Sequence, residues 1–476
     1  MKSFKNNNLI FKNTLILLIT SLIIRILGLL NRIILTRLLG EQGISLYSLI
    51  LPTIMLFLSL SCFSLNTAMI KVSAKYKSKE TIKSGINIAI ISSSISSLIL
   101  LSILHLLTTK LLKQPEAYYP ILFSIPLFYL TSISTVLRGY LTGIEKMTIT
   151  SLANLLEQIS RIIFIITVFY LFGDKSVTYC TIAMSIGEMI SIIYSLSYIH
   201  KQKSEKTKIE NNIIKKELLE ISIPSTLNSL TSNLTFFLEP ILYTIILSYL
   251  NFSSNEILLK YSEVTSYAIP LLTLFSFISM SISTAIMPKI STSSKNEIKN
   301  SISKLIILCL IPAILISTIL FHFSEEIALL LYATSTGSAL ISKYVWFFIA
   351  FYLIAPFNTI LLSTNQSKKV FIVSLVVHVI KLLLILILPM FTSDALILSY
   401  LISVLLTFII EFIILFRKYK FIIPVNKLFK LLLITLILNC LCYIFKYLKI
   451  NFLIQIFIIT ILFFIFIIYF VKRNNK

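Results

Sequence analysis

Charge, glycine and tryptophan are all scarce in this chain of 476 residues: 13% of its residues are charged, nine are glycine and one is tryptophan. Soluble domains carry about 25% charged residues, so a solvated globular surface is excluded. Acidic side chains are especially few, 19 Asp and Glu against 42 Lys and Arg. The four histidines and five cysteines form no CxxC pair and no Cys/His cluster, which argues against a metal centre and a disulfide framework. Cys62, Cys180, Cys309, Cys440 and Cys442 read instead as small buried hydrophobes. The nine glycines also leave few flexible backbone points.

What is abundant is apolar sequence. Hydrophobic residues make up 57% of the chain and mean hydropathy is +0.95. The apolar residues fall into blocks of about 18 to 25, long enough to cross a hydrocarbon core of about 30 Å as helices and unlike the alternating segments of a β-barrel. The fold class is therefore all-α, a polytopic membrane protein with about fourteen transmembrane helices, from a first span near residues 12–34 to a last near 452–471. No cleavage site follows the basic N-terminus, so the first span is expected to be retained.

A formal charge of +23 raises the question of nucleic acid. That reading needs a soluble basic face, whereas these basic residues are scattered through short loops. With the N-terminus inside, cytoplasmic loops collect about 30 of the 42 Lys and Arg and external loops about 9. The expectation is a cell-membrane, multi-pass protein with both termini cytoplasmic, in contact with membrane lipids and not with nucleic acid. The polar stretch His200–Lys216 divides the chain into an N-terminal lobe of six spans (1–203), a basic linker (204–217), a C-terminal lobe of six spans (218–416) and a terminal helix pair (417–476). Two six-helix halves are what parallel transporter repeats produce. No loop exceeds about twenty residues, too short for a soluble domain of about 50 or more.

Ionisable groups inside a bilayer cost at least about 2.5 kcal/mol at mid-depth, so those retained face a polar cavity or a partner. Arg25 and Arg32 are seven residues apart, two turns from one another and close to one helix face, with Arg37 beyond them. A column of guanidinium groups can bind phosphate through bidentate hydrogen bonds; snorkelling to the interface is the competing account. Glu157 and Arg161 are four apart in the favourable order, and Glu188 lies at similar depth on the next span. They form either a structural salt bridge or a substrate contact. Arg138 closes the fourth span as an entry-side phosphate contact or an ordinary positive-inside residue. The glycines beside it, Gly139 and Gly143, have the spacing of close helix packing. Glu239 and Glu263 are candidates for coupling to a proton or monovalent cation; for Glu263, interfacial solvation competes. Lys381 either lines a cavity or pairs with Glu411. Pro224, Pro240, Pro270 and Pro312 are expected to kink or break their helices.

Several of these segments resemble a known family. Arg25-Ile-Leu-Gly28, Leu38-Leu39-Gly40-Glu41-Gln42-Gly43, Arg138-Gly139-Tyr140-Leu141-Thr142-Gly143 and Leu156-Glu157-Gln158-Ile159-Ser160-Arg161 are similar, in order and spacing, to the stage V sporulation protein B family of polysaccharide-biosynthesis transporters. Ile221-Ser222-Ile223-Pro224 and Met287-Pro288-Lys289 continue the pattern. The resemblance implies two six-helix lobes around a central cavity, alternating access, and movement of an undecaprenyl-pyrophosphate-linked, lipid II-like precursor to the outer leaflet. It also implies a place in spore cortex peptidoglycan assembly, with cell-wall synthesis proteins as potential partners. Lipid II flippases carry cavity arginines on the first span, and Arg25 matches the first of these; the second falls at Asn31, where this chain offers Arg32 instead. At Ser64-Leu65-Asn66-Thr67-Ala68 the chain departs from the family's Gly-Ile-Pro-type break.

Three rivals follow from the same residues. A cation-coupled multidrug-type exporter of the same fold would prefer acidic cavity residues, and the intramembrane excess is basic. A glycosyl- or phosphotransferase would need paired carboxylates or a His-rich loop at a membrane face, so no enzymatic activity and no cofactor are expected. A non-transporting scaffold for cell-wall synthesis would tolerate cavity mutations but not loop mutations.

Overall fold

The computed structural model describes the chain except residues 1, 174–175, 202–210, 365, 449–450 and 474–476, and except the side chains of 2–22, 25, 172, 228, 284–289, 291–292 and 467–473. Much of the expected linker therefore lies outside the described residues, as do the side chains of Met287-Pro288-Lys289. No strand occurs among the described residues. The helices are α1 (Lys2–Cys62), α2 (Leu65–Tyr76), α3 (Lys79–Leu106), α4 (Tyr118–Leu122), α5 (Ile125–Gly143), α6 (Met147–Phe172), α7 (Thr178–Lys201), α8 (Asn211–Tyr249) and α9 (Ser254–Ser262). They continue as α10 (Ile269–Leu272), α11 (Ser276–Thr292), α12 (Lys295–Tyr332), α13 (Ser338–Tyr344), α14 (Phe351–Ser363), α15 (Ser367–Ile387), α16 (Ala395–Tyr419), α17 (Val425–Tyr447) and α18 (Phe452–Arg473).

Among the described residues, ten helical runs are long and apolar enough to cross a membrane, or twelve if each of two bent pairs counts as one span. The expected number of about fourteen is not reached by this measure. The run Ile26–Tyr76 takes in the end of the first expected span and the whole of the second, and Phe452–Phe466 is shorter than the rest. The bent pairs are Ser254–Leu272 with Ser276–Ser283, at 52°, and Ser338–Tyr344 with Phe347–Ser363, at 70°.

Local sequence explains the breaks. α1 turns at Gly40, whose φ of 70° and ψ of −174° are open only to a residue without Cβ. Between α1 and α2 the chain passes through Phe63 and Ser64, both left-handed at φ 46° and 45°. The segment that departs from the family's break is thus itself broken, through two strained non-glycine residues. Pro270 opens α10 after a wide helical turn over Glu263–Ala268. Pro224 and Pro240, in contrast, sit inside an unbroken α8. α12 stays helical past Pro312 and breaks at Phe323 instead, at φ −123° and ψ 25°. Proline in a long buried helix is tolerated where neighbouring groups satisfy the freed carbonyl. α12 begins with a reciprocal cap: the Ser294 side chain receives a backbone N–H, and the Ser294 N–H donates to Glu297 Oε2 at 2.9 Å.

The chain separates into two compact units, Met1–Ser262 and Glu263–Lys476. In the first, α5 packs against α1, α2, α3 and α7 around a core that includes Met69, Ala89, Leu137 and Leu141. Close approach is achieved with small residues. A Cβ on Gly139 would meet Met69 Cβ at 2.7 Å, and one on Gly143 would meet the Ile70 carbonyl at 2.7 Å, which is the packing role expected of this glycine pair. Serines do the same elsewhere, with Ser93 and Ser132 hydroxyls 2.7 Å apart between α3 and α5. In the second unit, α11, α14 and α16 enclose Phe357, Ile360, Leu361 and Leu415. α17 and α18 join a separate cluster on α12 with Leu438 and Phe463. Outward stripes such as Ile91, Ile95 and Leu98 remain exposed, as a lipid-facing helix surface requires.

Candidate functional site

In the first unit α5, α6 and α7 deliver polar side chains to one buried point. On α6 the spacing of Asn154, Glu157 and Arg161 places all three on one face. Arg138 of α5 meets that face. Its Nη1 donates to Asn154 Oδ1 at 2.7 Å and to Glu157 Oε2 at 2.9 Å. Its Nη2 donates to both carboxylate oxygens of Glu188 on α7, at 3.1 and 2.9 Å. Arg161 Nη2 donates to the other oxygen of Glu157 at 2.7 Å.

Two guanidinium groups thus face two buried carboxylates, and the formal charges cancel. Cancellation matters because an isolated charge in low dielectric carries a penalty of several kcal/mol. The arrangement locks three helices together, and both Nη atoms of Arg138 are already held by Asn154, Glu157 and Glu188. Arg161 is less fully engaged: its buried Nε has no hydrogen-bond partner among the described residues. The sequence pairs Glu157 with Arg161, and the structure keeps that pair. It also brings in Arg138, which the sequence places at the entry side, and gives Glu188 to Arg138. Asn154 escapes the sequence reading. Its signal is the Asn154-x-x-Glu157-x-x-x-Arg161 spacing, which places an amide on the charged face.

The other candidates are dispersed. Arg25 lies in α1, but its side chain lies outside the described residues. Arg32 is half-buried and Arg37 exposed on the same helix before the Gly40 turn. Glu239 of α8 is fully buried and accepts a hydrogen bond from the Tyr261 hydroxyl of α9 at 3.3 Å. Glu263 is half-buried and opens the wide turn before α10. Lys381 is buried on α15 with its Nζ 3.3 Å from the centre of the Tyr400 ring on α16, a cation–π contact. Glu411 lies eleven residues beyond Tyr400, about 16 Å further along the helix. It is 1% exposed, and its Oε2 has no hydrogen-bond partner among the described residues.

Long apolar helices with internally neutralised charges define a multi-pass membrane protein. The chain belongs to the polysaccharide biosynthesis protein family, whose model matches residues 10–292. It is 27% identical over 394 residues to stage V sporulation protein B of Bacillus subtilis (strain 168), covering 78% of this chain and 76% of that protein. It is 21% identical over 370 residues to sporulation protein YkvU of the same organism, covering 73% and 81%. Among solved structures, the lipid II flippase MurJ in an inward closed conformation aligns with a TM-score of 0.74 at 18% identity, over 96% of this chain and 99% of that one. The MATE multidrug transporter DinF-BH aligns at 0.62 and 15% identity, over 86% and 95%. The fold is therefore of the MurJ and MATE type, shared with a lipid II flippase and with multidrug transporters.

Proposed function

We propose that the protein is a flippase that moves an anionic lipid-linked saccharide, an undecaprenyl-pyrophosphate-linked precursor like lipid II, across the cytoplasmic membrane by alternating access. The observation that carries this reading is the fold likeness to a lipid II flippase over 96% of the chain, joined to Arg25, Arg32 and Arg37 on the helix that precedes the Gly40 turn. Guanidinium forks on one helix suit a pyrophosphate that must leave water. Neutralisation of Arg138 and Arg161 by Glu157 and Glu188 supports a positioning role for those four residues and counts against a cationic-drug pocket at that point. Glu239 and Glu263 are the proposed carboxylates for a coupling proton or monovalent cation.

The test is reconstitution into vesicles with a labelled lipid-linked disaccharide, measuring its exposure on the far leaflet. Arg25→Ala is expected to reduce flipping at least about tenfold, the equivalent of one lost charge-assisted contact, with membrane insertion unchanged. Retained flipping would remove Arg25 from the mechanism. The likeness to two Bacillus subtilis sporulation proteins supports a role in sporulation. Rescue of heat-resistant spores in a strain lacking its stage V sporulation protein B checks that part separately.

A further inference from the structure

The first unit also holds a cavity of about 760 Å³ at the end where the Gly40 turn, the α3–α4 connection, the α6–α7 connection and the start of α9 come together. This volume lies within the about 300–1,000 Å³ range of small-molecule sites. The positive-inside rule assigns these connections to the outer side. The opposite end of the same unit carries Lys75, which with Tyr76 holds Glu217 of α8 at 2.5 and 2.8 Å.

The lining of the outer cavity shows no such ion pair among the described residues. It presents three carboxamides, Gln42, Gln114 and Asn255, with the hydroxyls of Ser176 and Thr178, the phenol ring of Tyr119 and one carboxylate, Glu116. No lysine, arginine or histidine is among its described lining residues. The wall is organised around Gln114, which is 7% exposed although it is an amide. The preceding Lys113 takes φ 51°, turning the chain so that the Gln114 N–H donates to the Thr108 carbonyl at 2.9 Å. Its side-chain Nε2 donates to the Ser254 carbonyl at 3.0 Å, which tethers the wall to the start of α9. Tyr119 is 63% exposed and is braced edge-to-face by Tyr118, with ring centroids 5.5 Å apart.

This chemistry selects a ligand class. A phosphate has no cation among the described lining residues to receive it. A cation would find a single carboxylate on an open wall. An apolar molecule would strand the amides without partners. Hydroxyl-rich, uncharged rings fit, because amides and hydroxyls both donate and accept and an exposed tyrosine ring offers an apolar face to stacked C–H groups. We infer that this outer cavity is a binding site for an uncharged saccharide. The inference deepens the proposed function and rests on it for the source of the sugar: the pyrophosphate is drawn to the arginine-bearing helix, while the glycan is received at a separate site of amides and hydroxyls.

The test is equilibrium binding of the disaccharide of N-acetylglucosamine to the full chain in lipid nanodiscs, followed by saturation-transfer NMR. Saturable binding is expected, weakened about tenfold by Tyr119→Ala. A second variant, Gln42→Ala with Asn255→Ala, changes two exposed side chains and should weaken binding with the thermal midpoint preserved. Absence of saturable binding, or equal affinity in both variants, overturns the assignment. This readout needs no transport, so it fails or succeeds independently of the flipping assay. Disaccharide added outside the vesicles then separates two sources of the same chemistry, both of which satisfy the site. Slowed flipping assigns it to the cargo's own sugar, and unchanged flipping to a free glycan.

Discussion

Arg138 Nη2 donates to both oxygens of Glu188, at 3.1 and 2.9 Å, joining α5 to α7 within the buried part of the first unit. Because the opposite edge of the same guanidinium holds Asn154 and Glu157, neither carboxylate can be removed without leaving charge uncompensated.

Arg138→Met is therefore expected to cost about 3 kcal/mol, as for other broken buried pairs. Adding Glu188→Gln should restore part of that loss. The two changes should be coupled by about 1–3 kcal/mol in a double-mutant cycle, read from thermal unfolding in detergent. Additive losses would mean that the pair contributes nothing as a pair.

Glu411 predicts the opposite sign. It is 1% exposed and its Oε2 is unbonded among the described residues, so burial of the carboxylate is a net cost. Glu411→Gln should leave the thermal midpoint unchanged or raise it. A marked fall would show that the carboxylate is supported by a partner.

In the second unit α17 adds polar contacts with α12 to its apolar packing. The His322 ring nitrogen Nε2 lies 2.8 Å from Asn439 Oδ1 of α17, the Tyr443 ring meets the His322 ring edge-on at 4.8 Å, and Lys446 Nζ donates to the His322 carbonyl. Asn439→Leu should loosen α17 from α12. Faster amide hydrogen exchange confined to α17 and its neighbours is the expected signature, and unchanged exchange would assign the attachment to apolar packing alone.

Asp394 supplies a pH dependence outside the spans. Burial alone would raise its pKa, but hydrogen bonds from Lys343 at 2.5 Å and Tyr344 at 2.8 Å outweigh burial and hold it below its ordinary 3.8. A carboxylate lowered in the folded state adds stability above its unfolded pKa and loses it as pH falls through the folded value. Asp394→Asn should flatten the acid limb of the thermal midpoint against pH below the ordinary carboxylate range, with little change at neutral pH.

Much of the architecture was legible in sequence because a bilayer imposes a simple rule. Every backbone polar group must be satisfied within the segment, so an apolar block of sufficient length becomes a helix. Local spacing was equally readable: Glu157 and Arg161 pair as their separation of four residues requires, and Gly139 and Gly143 pack as their spacing implies. Contacts between helices followed no such rule. That Glu188 binds Arg138, that Lys381 rests on Tyr400, and that α12 breaks at Phe323 and not at Pro312 depend on helix rotation and depth. Those are set by the sum of side-chain contacts on all sides.

The sequence by itself determined that this protein is a helical membrane protein with cationic residues in its first span, because hydrophobic length and intramembrane charge are properties of single segments. Only the tertiary structure decided which charges neutralise one another and which loops close around a cavity lined by amides and hydroxyls. Those relationships arise between segments far apart in the chain, and the low dielectric around them makes each pairing decisive.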